Sequence, residues 1–429
     1  MRSLTTSFPG SAVILLGVTT IVVGLAWRFL SSLWSSRNVR ARLADPRPDV
    51  RRAAVAVATN GGLARHAARL LEIARNDPDG SVRRAVAESV RRNVWEPIDN
   101  PSVLELRMWA EGRRAPADEN RGERVLVTGA GGPAGVSVIR ALKAAHHTVI
   151  AVDVDPLGAG LYLADEIDSV PPVDVPGFVD ELIDIAERHG ATALMPTLTE
   201  ELCVIARCAE DVAAVVPLWI SSFESLEACR DKWLFAAAMR DAGVSVPATG
   251  LASAEGVPGP WIVKPRCARG SRGVVAVDRA EDLRTAIEAT DEPIVQTRLN
   301  GCEFTVDVLV SREGELVGVV PRWRLETKAG ISTKGRTFSD DGVLLGVASI
   351  VGVLGLEGPA NVQGFMTDDG PCFIEVNPRF SGGLPLSLAS GADLVGEYLR
   401  GILGRPLRPE RLAYREGTTK IRHFEEIYA

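Results

Sequence analysis

The chain has 429 residues, of which 46% are hydrophobic and 24% charged, a balance that supports packed cores and excludes a mostly disordered chain. The net charge of −7 is unevenly placed: residues 1–122 carry 19 Arg, no Lys and 12 acids, and residues 123–429 carry 29 basic and 43 acidic residues. The acidic bulk excludes nucleic acid as the main partner, because phosphate binding needs concentrated positive charge. The length predicts roughly three domains. The six Cys (203, 208, 229, 267, 302 and 372) form no CxxC pair, and the five His form no HExxH. This excludes a zinc ribbon or a redox dithiol and suits a reducing compartment.

No charge falls between Arg2 and Arg28, and the centre of that run, residues 11–27, reads SAVILLGVTTIVVGLAW. A spanning helix needs about 20 apolar residues. Arg28, Arg37, Arg40, Arg42, Arg47, Arg51 and Arg52 follow it, against Arg2 alone before it. The expectation is a single-pass membrane anchor over residues 1–30, with the N-terminus outside and the catalytic part cytoplasmic. A cleaved signal peptide fits less well, since no small-residue cleavage site is evident.

Residues 37–95 repeat. Asp45-Pro46 precedes VRRAAV at Val50, and Asp77-Pro78 precedes VRRAVA at Val82, so both features recur at 32 residues. Asp-Pro opens a helix and small Ala positions let a second helix pack closely. The pattern resembles short HEAT-like helical repeats. It reads either as a protein-docking arm or as a spacer whose Arg face meets anionic lipid. Residues 96–122 read as helix followed by a polar linker.

From residue 123 the pattern is α/β. Residues 124–128 (RVLVT) form a short β-branched strand, GAGGPAG follows at 129–135, then a helical stretch and a second strand ending at Asp153. This β–glycine turn–α–β unit predicts a Rossmann-like domain over 123–225. Taken alone it would allow a nicotinamide site. Three later blocks over 226–429 favour different chemistry. The first is Asp231-Lys232 on an amphipathic helix. The second is WIVKP at 261–265, then a Gly/Ser loop through Gly273 and a new strand. Such a loop can fold its amides over a triphosphate that a strand Lys neutralises. It is no P-loop, since no GKS or GKT follows the glycines. The third is Asn361 to Gln363, then FIEVNPRF at 373–380. Glu375 and Asn377 lie two apart on a strand and share one face. Oxygen ligands so placed suit Mg²⁺, which keeps water and phosphate in its other positions.

Over Arg124 to Tyr428 these blocks, in this order, resemble the ATP-grasp superfamily, in particular its carbamoyl-phosphate-synthase-like carboxylate–amine ligases. The resemblance implies a pre-grasp domain that binds no NAD, followed by two α+β lobes closing on ATP. Lys232 and Lys264 would contact ATP phosphates, and residues 268–273, including Gly270, Ser271 and Gly273, would form the lid. Gln296, Thr297, Arg298 and Leu299 would form the hinge along adenine, and Glu303 would hold ribose hydroxyls or a backbone near them. Gln363, Glu375 and Asn377 would ligate Mg²⁺, for which Mn²⁺ could substitute. Arg379 would steady the γ-phosphate, and Arg322 would meet the transferred phosphoryl or the substrate carboxylate. Thr297 departs from the Glu common at the hinge.

Read as residues only, several of these positions have plainer roles. Lys232 could be a surface helix residue, and Glu303 merely solvated. Asp307 is more structural than catalytic in pattern. Arg322 and Arg324 share one face and could be an exposed edge. Lys328 and Lys334 flank a loop over the site, and Cys267 and Cys302 are assigned nothing. The expected activity is ATP-dependent joining of a small-molecule or carrier-bound carboxylate to an amine through an acyl phosphate. The alternative is a membrane-tethered ATP-binding scaffold that captures a protein partner through residues 37–95. The oligomeric state stays open, a homodimer being one arrangement that the resemblance implies.

Overall fold

The computed structural model describes residues 39, 41–60, 63–92, 101–110, 122–267, 273–328, 330–423 and 425–427. The chain divides into two compact units, residues 1–117 and 118–429. The anchor expected over residues 1–30 lies outside the described residues. Among those described, no helix is long and apolar enough to cross a membrane.

The first unit is helical: α1 (Pro48–Asn60), α2 (Leu63–Asn76), α3 (Gly80–Arg92) and α4 (Pro101–Ala110). Helix α1 packs on α3 and α2 packs on α4, around Val55, Leu70, Val86 and Leu106. The sequence repeat is also a repeat of contacts. Asp45 Oδ1 accepts from the Arg47 N–H at 2.9 Å, and Asp77 Oδ1 accepts from the Asp79 N–H at 2.9 Å. Arg51 Nη1 donates to the Asp45 carbonyl at 2.7 Å, as Arg83 Nη1 does to the Asp77 carbonyl. Each Asp thus holds the chain entering a helix, as short polar side chains do at such starts. Arg51 then reaches the second cap through two bonds to the Asp77 carboxylate, at 2.7 and 2.8 Å. Val103, Leu106 and Ala110 of α4 lie in the same core, so the helical unit runs past residue 95.

The second unit opens with a parallel sheet ordered β3-β2-β1-β4, where β1 is Arg124–Val127, β2 Thr148–Asp153, β3 Glu166–Ser169 and β4 Ala193–Met195. Helices α5 (Pro133–Ala144), α6 (Phe178–Arg188), α7 (Thr199–Arg207) and α8 (Ala209–Val215) accompany it. The glycine turn after β1 is filled from within. Asp153 Oδ2 accepts from the Gly131 N–H at 2.7 Å. A Cβ on Gly131 would stand 2.8 Å from Gly158 Cα, and one on Gly160 2.0 Å from the Ala130 carbonyl. Those glycines serve backbone-to-backbone packing, and the Asp153 carboxylate holds its own loop.

Helices α9 (Phe223–Arg230) and α10 (Lys232–Asp241) lead into two further sheets. The smaller is ordered β5-β8-β6-β7: β5 Thr249–Leu251, β6 Trp261–Pro265, β7 Val275–Val277 and β8 Pro293–Thr297, with α11 (Ala280–Glu288) against it. The larger has six strands ordered β13-β12-β9-β10-β11-β14: β9 Cys302–Val310, β10 Leu316–Lys328, β11 Ile331–Thr337, β12 Gly358–Thr367, β13 Gly370–Asn377 and β14 Thr419–Ile421. Strand alternation gives this sheet two faces. Phe304, Val306, Val308, Val362 and Phe373 pack with α12 (Asp341–Leu354). The opposite face carries Glu303, Thr305 and Asp307. Helices α13 (Leu384–Ser390) and α14 (Leu394–Ile402) follow β13, and α14 packs back on α5.

Candidate functional site

The polar face of the larger sheet sets out the site in rows. Glu375, Gln363, Thr305 and Arg322 are successive cross-strand partners on β13, β12, β9 and β10. Asn377, Asn361 and Asp307 form the neighbouring row. Antiparallel register thus brings together side chains up to about seventy positions apart.

A cleft of about 400 Å³ lies between this face and the smaller sheet. Ile262, Val274, Phe365 and Ile374 give it apolar walls, and Lys232, Lys264, Gln296, Glu303, Gln363 and Glu375 supply polar groups. Flat apolar walls with a few fixed polar groups suit a heteroaromatic base and its charged tail.

The two lysines are placed by local structure. Asp231 caps α10, accepting from the N–H groups of Trp233 and Leu234 at 2.9 and 3.1 Å. Arg266 Nε donates to Asp231 Oδ2 at 2.6 Å, and the Lys232 N–H donates to the Arg266 carbonyl at 3.2 Å. The start of α10 is thereby tied to the end of β6, which carries Lys264. Lys232 and Lys264 are only 7% and 8% exposed. Burial pushes the Lys264 ammonium down to about 8; Glu375 opposes that shift and Lys232 adds to it. Two buried cations beside one carboxylate make a site prepared for a polyanion.

A second space of about 180 Å³ shares Lys232, Arg324, Gln363 and Glu375 with the cleft. Thr199 and Glu200 at the start of α7, Arg230, Asn377 and Arg379 complete its polar lining. The parallel-sheet domain and the larger sheet therefore both contribute to it.

Gln363, Glu375 and Asn377 come together as a donor set. Asn377 Nδ2 donates to Glu375 Oε1 at 3.2 Å, Arg379 Nη2 to Asn377 Oδ1 at 3.1 Å, and Arg324 Nη1 to Gln363 Oε1 at 3.0 Å. One carboxylate and two amide oxygens suit a hard cation that takes its remaining ligands from phosphate and water. Among the described residues no group of three or more His, Cys, Asp or Glu could hold a metal by itself.

The other expected site residues are placed as follows. Gly270 and Ser271 lie outside the described residues, and Gly273 turns at φ +68° against Pro265. Of the hinge, Gln296 Nε2 donates to Thr249 Oγ1 at 2.9 Å. Thr297 Oγ1 donates to the Pro258 carbonyl at 2.8 Å, and Arg298 Nη2 pairs with Asp278 at 2.6 Å. Both side chains hold the smaller lobe, and all four hinge residues line the cleft. Glu303 is half-buried; desolvation raises its carboxyl above the usual range against the pull of Arg324.

Arg322, expected at the reacting centre, is 1% exposed and lines neither space. Its Nη2 donates to Asp307 Oδ1 at 2.7 Å and to Ser381 Oγ at 2.9 Å. Arg324, two residues on, reaches both spaces and bonds Glu303 Oε1 at 2.5 Å and the Gly330 carbonyl at 2.7 Å. The sequence marked these two arginines as sharing a face, which was the available signal for Arg324. Thr199, Glu200 and Arg230 carried none. Lys334 pairs with Glu326 at 2.7 Å and lines neither space. Cys267 lines the smaller space, and burial raises its thiol.

Residues 125–220 match the family described as PylC-like, N-terminal domain, and residues 289–427 match the family described as ATP-grasp in the biosynthetic pathway with Ter operon. The carbamoyl phosphate synthase large chain of Pseudothermotoga lettingae is 27% identical over 228 residues, which cover 47% of this chain and 20% of that protein. The match thus spans about a fifth of the curated relative. A biotin carboxylase from Campylobacter jejuni, solved with β,γ-ATP, is similar in structure at a TM-score of 0.56 and 19% identity, over 68% of this chain and 73% of that one. An L-amino acid ligase from Bacillus licheniformis gives 0.55 and 16%, over 70% and 79%.

Proposed function

We propose, from the match of residues 289–427 to an ATP-grasp family behind a PylC-like domain at residues 125–220 and from the similar fold of the biotin carboxylase, that the protein is an ATP-dependent ligase joining a carboxylate to an amine. What carries the reading is the convergence of Lys232, Lys264, Gln363, Glu375, Asn377 and Arg379, from three separate stretches of chain, on two spaces with a common wall.

ATP occupies the larger cleft, with its base between the apolar walls and its phosphates toward Lys232 and Lys264. Gln363, Glu375 and Asn377 would hold magnesium, which supplies charge neutralisation for the phosphates when bound. The acceptor carboxylate occupies the smaller space, beside Arg324 and Arg379. A carboxylate oxygen attacks the γ-phosphorus, the bond to the β-phosphate oxygen breaks, and ADP leaves. The amine then attacks the acyl carbon of the acyl phosphate, phosphate departs with the bonding electron pair, and the amine loses a proton. Charge grows on phosphoryl oxygens, so the fixed cations supply most of the stabilisation. The relatives whose names speak of carbamoyl phosphate and amino acid ligation support this reaction class.

The test is ADP release by the full chain with Mg-ATP, with and without pooled carboxylates and amines, against Glu375→Ala. Acceptor-stimulated release lost in the variant is expected, and Mn²⁺ should replace Mg²⁺. Nucleotide binding with no release under any acceptor would sink the ligase. The apolar run at 11–27 tethers the enzyme to a membrane, with the catalytic part cytoplasmic. Recovery in the soluble fraction of cells would count against the tether.

A further inference from the structure

Beside the described cavities, three cations gather under the Gly-rich loop after β13. Arg322 on β10 is fully buried, and its Nε has no hydrogen-bond partner. Lys420 on β14 is half-buried, and its Nζ donates to the Ser332 carbonyl at 3.0 Å. Arg422, just past β14, is half-buried and its Nη2 donates to the Gly382 carbonyl at 2.6 Å.

The charge around them does not balance. Asp307 is the carboxylate of this cluster, and its oxygens are already taken. Oδ1 accepts from Arg322 and from Asn361, both at 2.7 Å, and Oδ2 accepts from Ser387 Oγ at 2.6 Å. Neither Lys420 nor Arg422 forms an ion pair among the described residues; each is met by one neutral carbonyl. Buried cations are ordinarily paired, since losing water without gaining a counter-charge is costly. Burial, with Arg422 and Arg322 next in weight, drives the Lys420 ammonium down to about 7.

The loop that Arg422 grips leads to the reacting centre. It runs from Arg379 through Ser381 to Gly383. A Cβ on Gly383 would stand 2.1 Å from Arg322 Nη1, and one on Gly382 3.0 Å from Pro133 of the first domain. Arg324 also adds to the positive field at Lys420, and it lines both spaces. Arg379, where the gripped loop begins, lines the smaller space and not the larger cleft, so the unpaired cations adjoin the acceptor side.

We propose that Arg322, Lys420 and Arg422 form a subsite for a second anionic group, a carboxylate or phosphate, on the acceptor whose carboxylate is activated. This rests on the ligase reading for its biological occupant. The subsite itself can be tested without turnover. An oxyanion there would accept from the orphaned Arg322 Nε and the Lys420 ammonium, and Arg422 would offer its fork. The ligase would accordingly select dianionic acceptors over monoanionic ones.

The experiment titrates succinate, propionate and inorganic phosphate into the full chain loaded with Mg²⁺ and a non-hydrolysable ATP analogue, read by calorimetry. Succinate or phosphate should bind at least tenfold more tightly than propionate. Lys420→Met and Arg422→Met should each weaken that binding at least tenfold, with nucleotide affinity unchanged. Lys420→Arg keeps the charge and should restore most of it, which separates lost charge from lost folding. Neither succinate nor phosphate binding more tightly than propionate, or equal binding in both Met variants, overturns the subsite. Comparing succinate with phosphate shows which anion it takes. Anion binding without ADP release under any acceptor would retain the subsite and reject the ligase.

Discussion

Gln363 and Glu375 are direct cross-strand partners on β12 and β13, so an amide oxygen and the one carboxylate of the donor set share a face. Glu375→Gln keeps the shape and removes the charge. Half-saturation by Mg²⁺ in ADP release should rise by more than the roughly 10- to 100-fold typical of losing an outer-sphere partner. A magnesium titration of the variant measures it; an unchanged half-saturation would remove Glu375 from the metal site.

Lys264 trades stability for binding. Its folded value of about 8 lies below its ordinary 10.5, so its stabilising contribution is full only above 10.5 and is lost as the pH falls through 8. At pH 7.5 the buried charge is a burden. Lys264→Met should raise the melting temperature of the nucleotide-free protein at that pH, and the gain should shrink toward pH 10. Mg-ATP affinity should fall roughly 10- to 100-fold, the equivalent of about 1.5–3 kcal/mol for a hydrogen bond to a charged group. A variant that melts lower and binds ATP normally would contradict both halves.

In the helical unit, Asp77→Asn retains a side-chain oxygen for the Asp79 N–H but removes the charge facing Arg51. Amide exchange across α1 and α3 should quicken, measured by mass spectrometry. The Arg51 guanidinium holds the Asp77 carboxyl below its ordinary range. The native chain therefore keeps this contribution above about pH 4 and loses it as acid titrates the carboxylate. Exchange that is identical in the two proteins would make the pair ornamental.

His189 works in the opposite direction. Its Nδ1 lies 2.7 Å from Glu166 Oε2 and its Nε2 3.1 Å from Asp168 Oδ2. The bond to Glu166, followed by burial acting against it and the bond to Asp168, leaves the imidazolium raised above 6.5. The stability it gives is complete below about 6.5 and disappears as pH climbs through the raised value. His189→Phe should thus lower the urea midpoint more at pH 6 than at pH 9. An equal loss at both would mean that packing, not charge, is what His189 contributes.

Much of the site was legible because strand chemistry is periodic. Glu375 and Asn377 had to share a face, and the apolar alternation of Phe304, Val306 and Val308 told which face was core. Lys264 was readable as a cation ending an apolar strand before a glycine loop. Depth was not readable in the same way. Arg322 and Arg324 obey one alternation, yet one turns its Nη2 to Asp307 and Ser381, off both spaces, and the other opens on both. What separates them is the loop after β13, whose Gly383 lies against the Arg322 guanidinium, a contact between residues some sixty positions apart. The same holds for β14. Its three residues carry no pattern, and only pairing with β11 brings Lys420 beneath the site. Thr199 and Arg230 reach the smaller space from other elements by packing alone.

The wall common to the two spaces has a thermodynamic consequence. Lys232, Arg324, Gln363 and Glu375 face both, so no ligand can fill one space without altering the field in the other. Nucleotide that neutralises Lys232 draws positive potential away from the acceptor, and a cation drawn to Glu375 restores it. By reciprocity, whatever factor Mg-nucleotide applies to acceptor affinity, acceptor must apply to Mg-nucleotide affinity. Free ATP should therefore weaken acceptor binding more than its magnesium complex does, and that difference is written in four side chains.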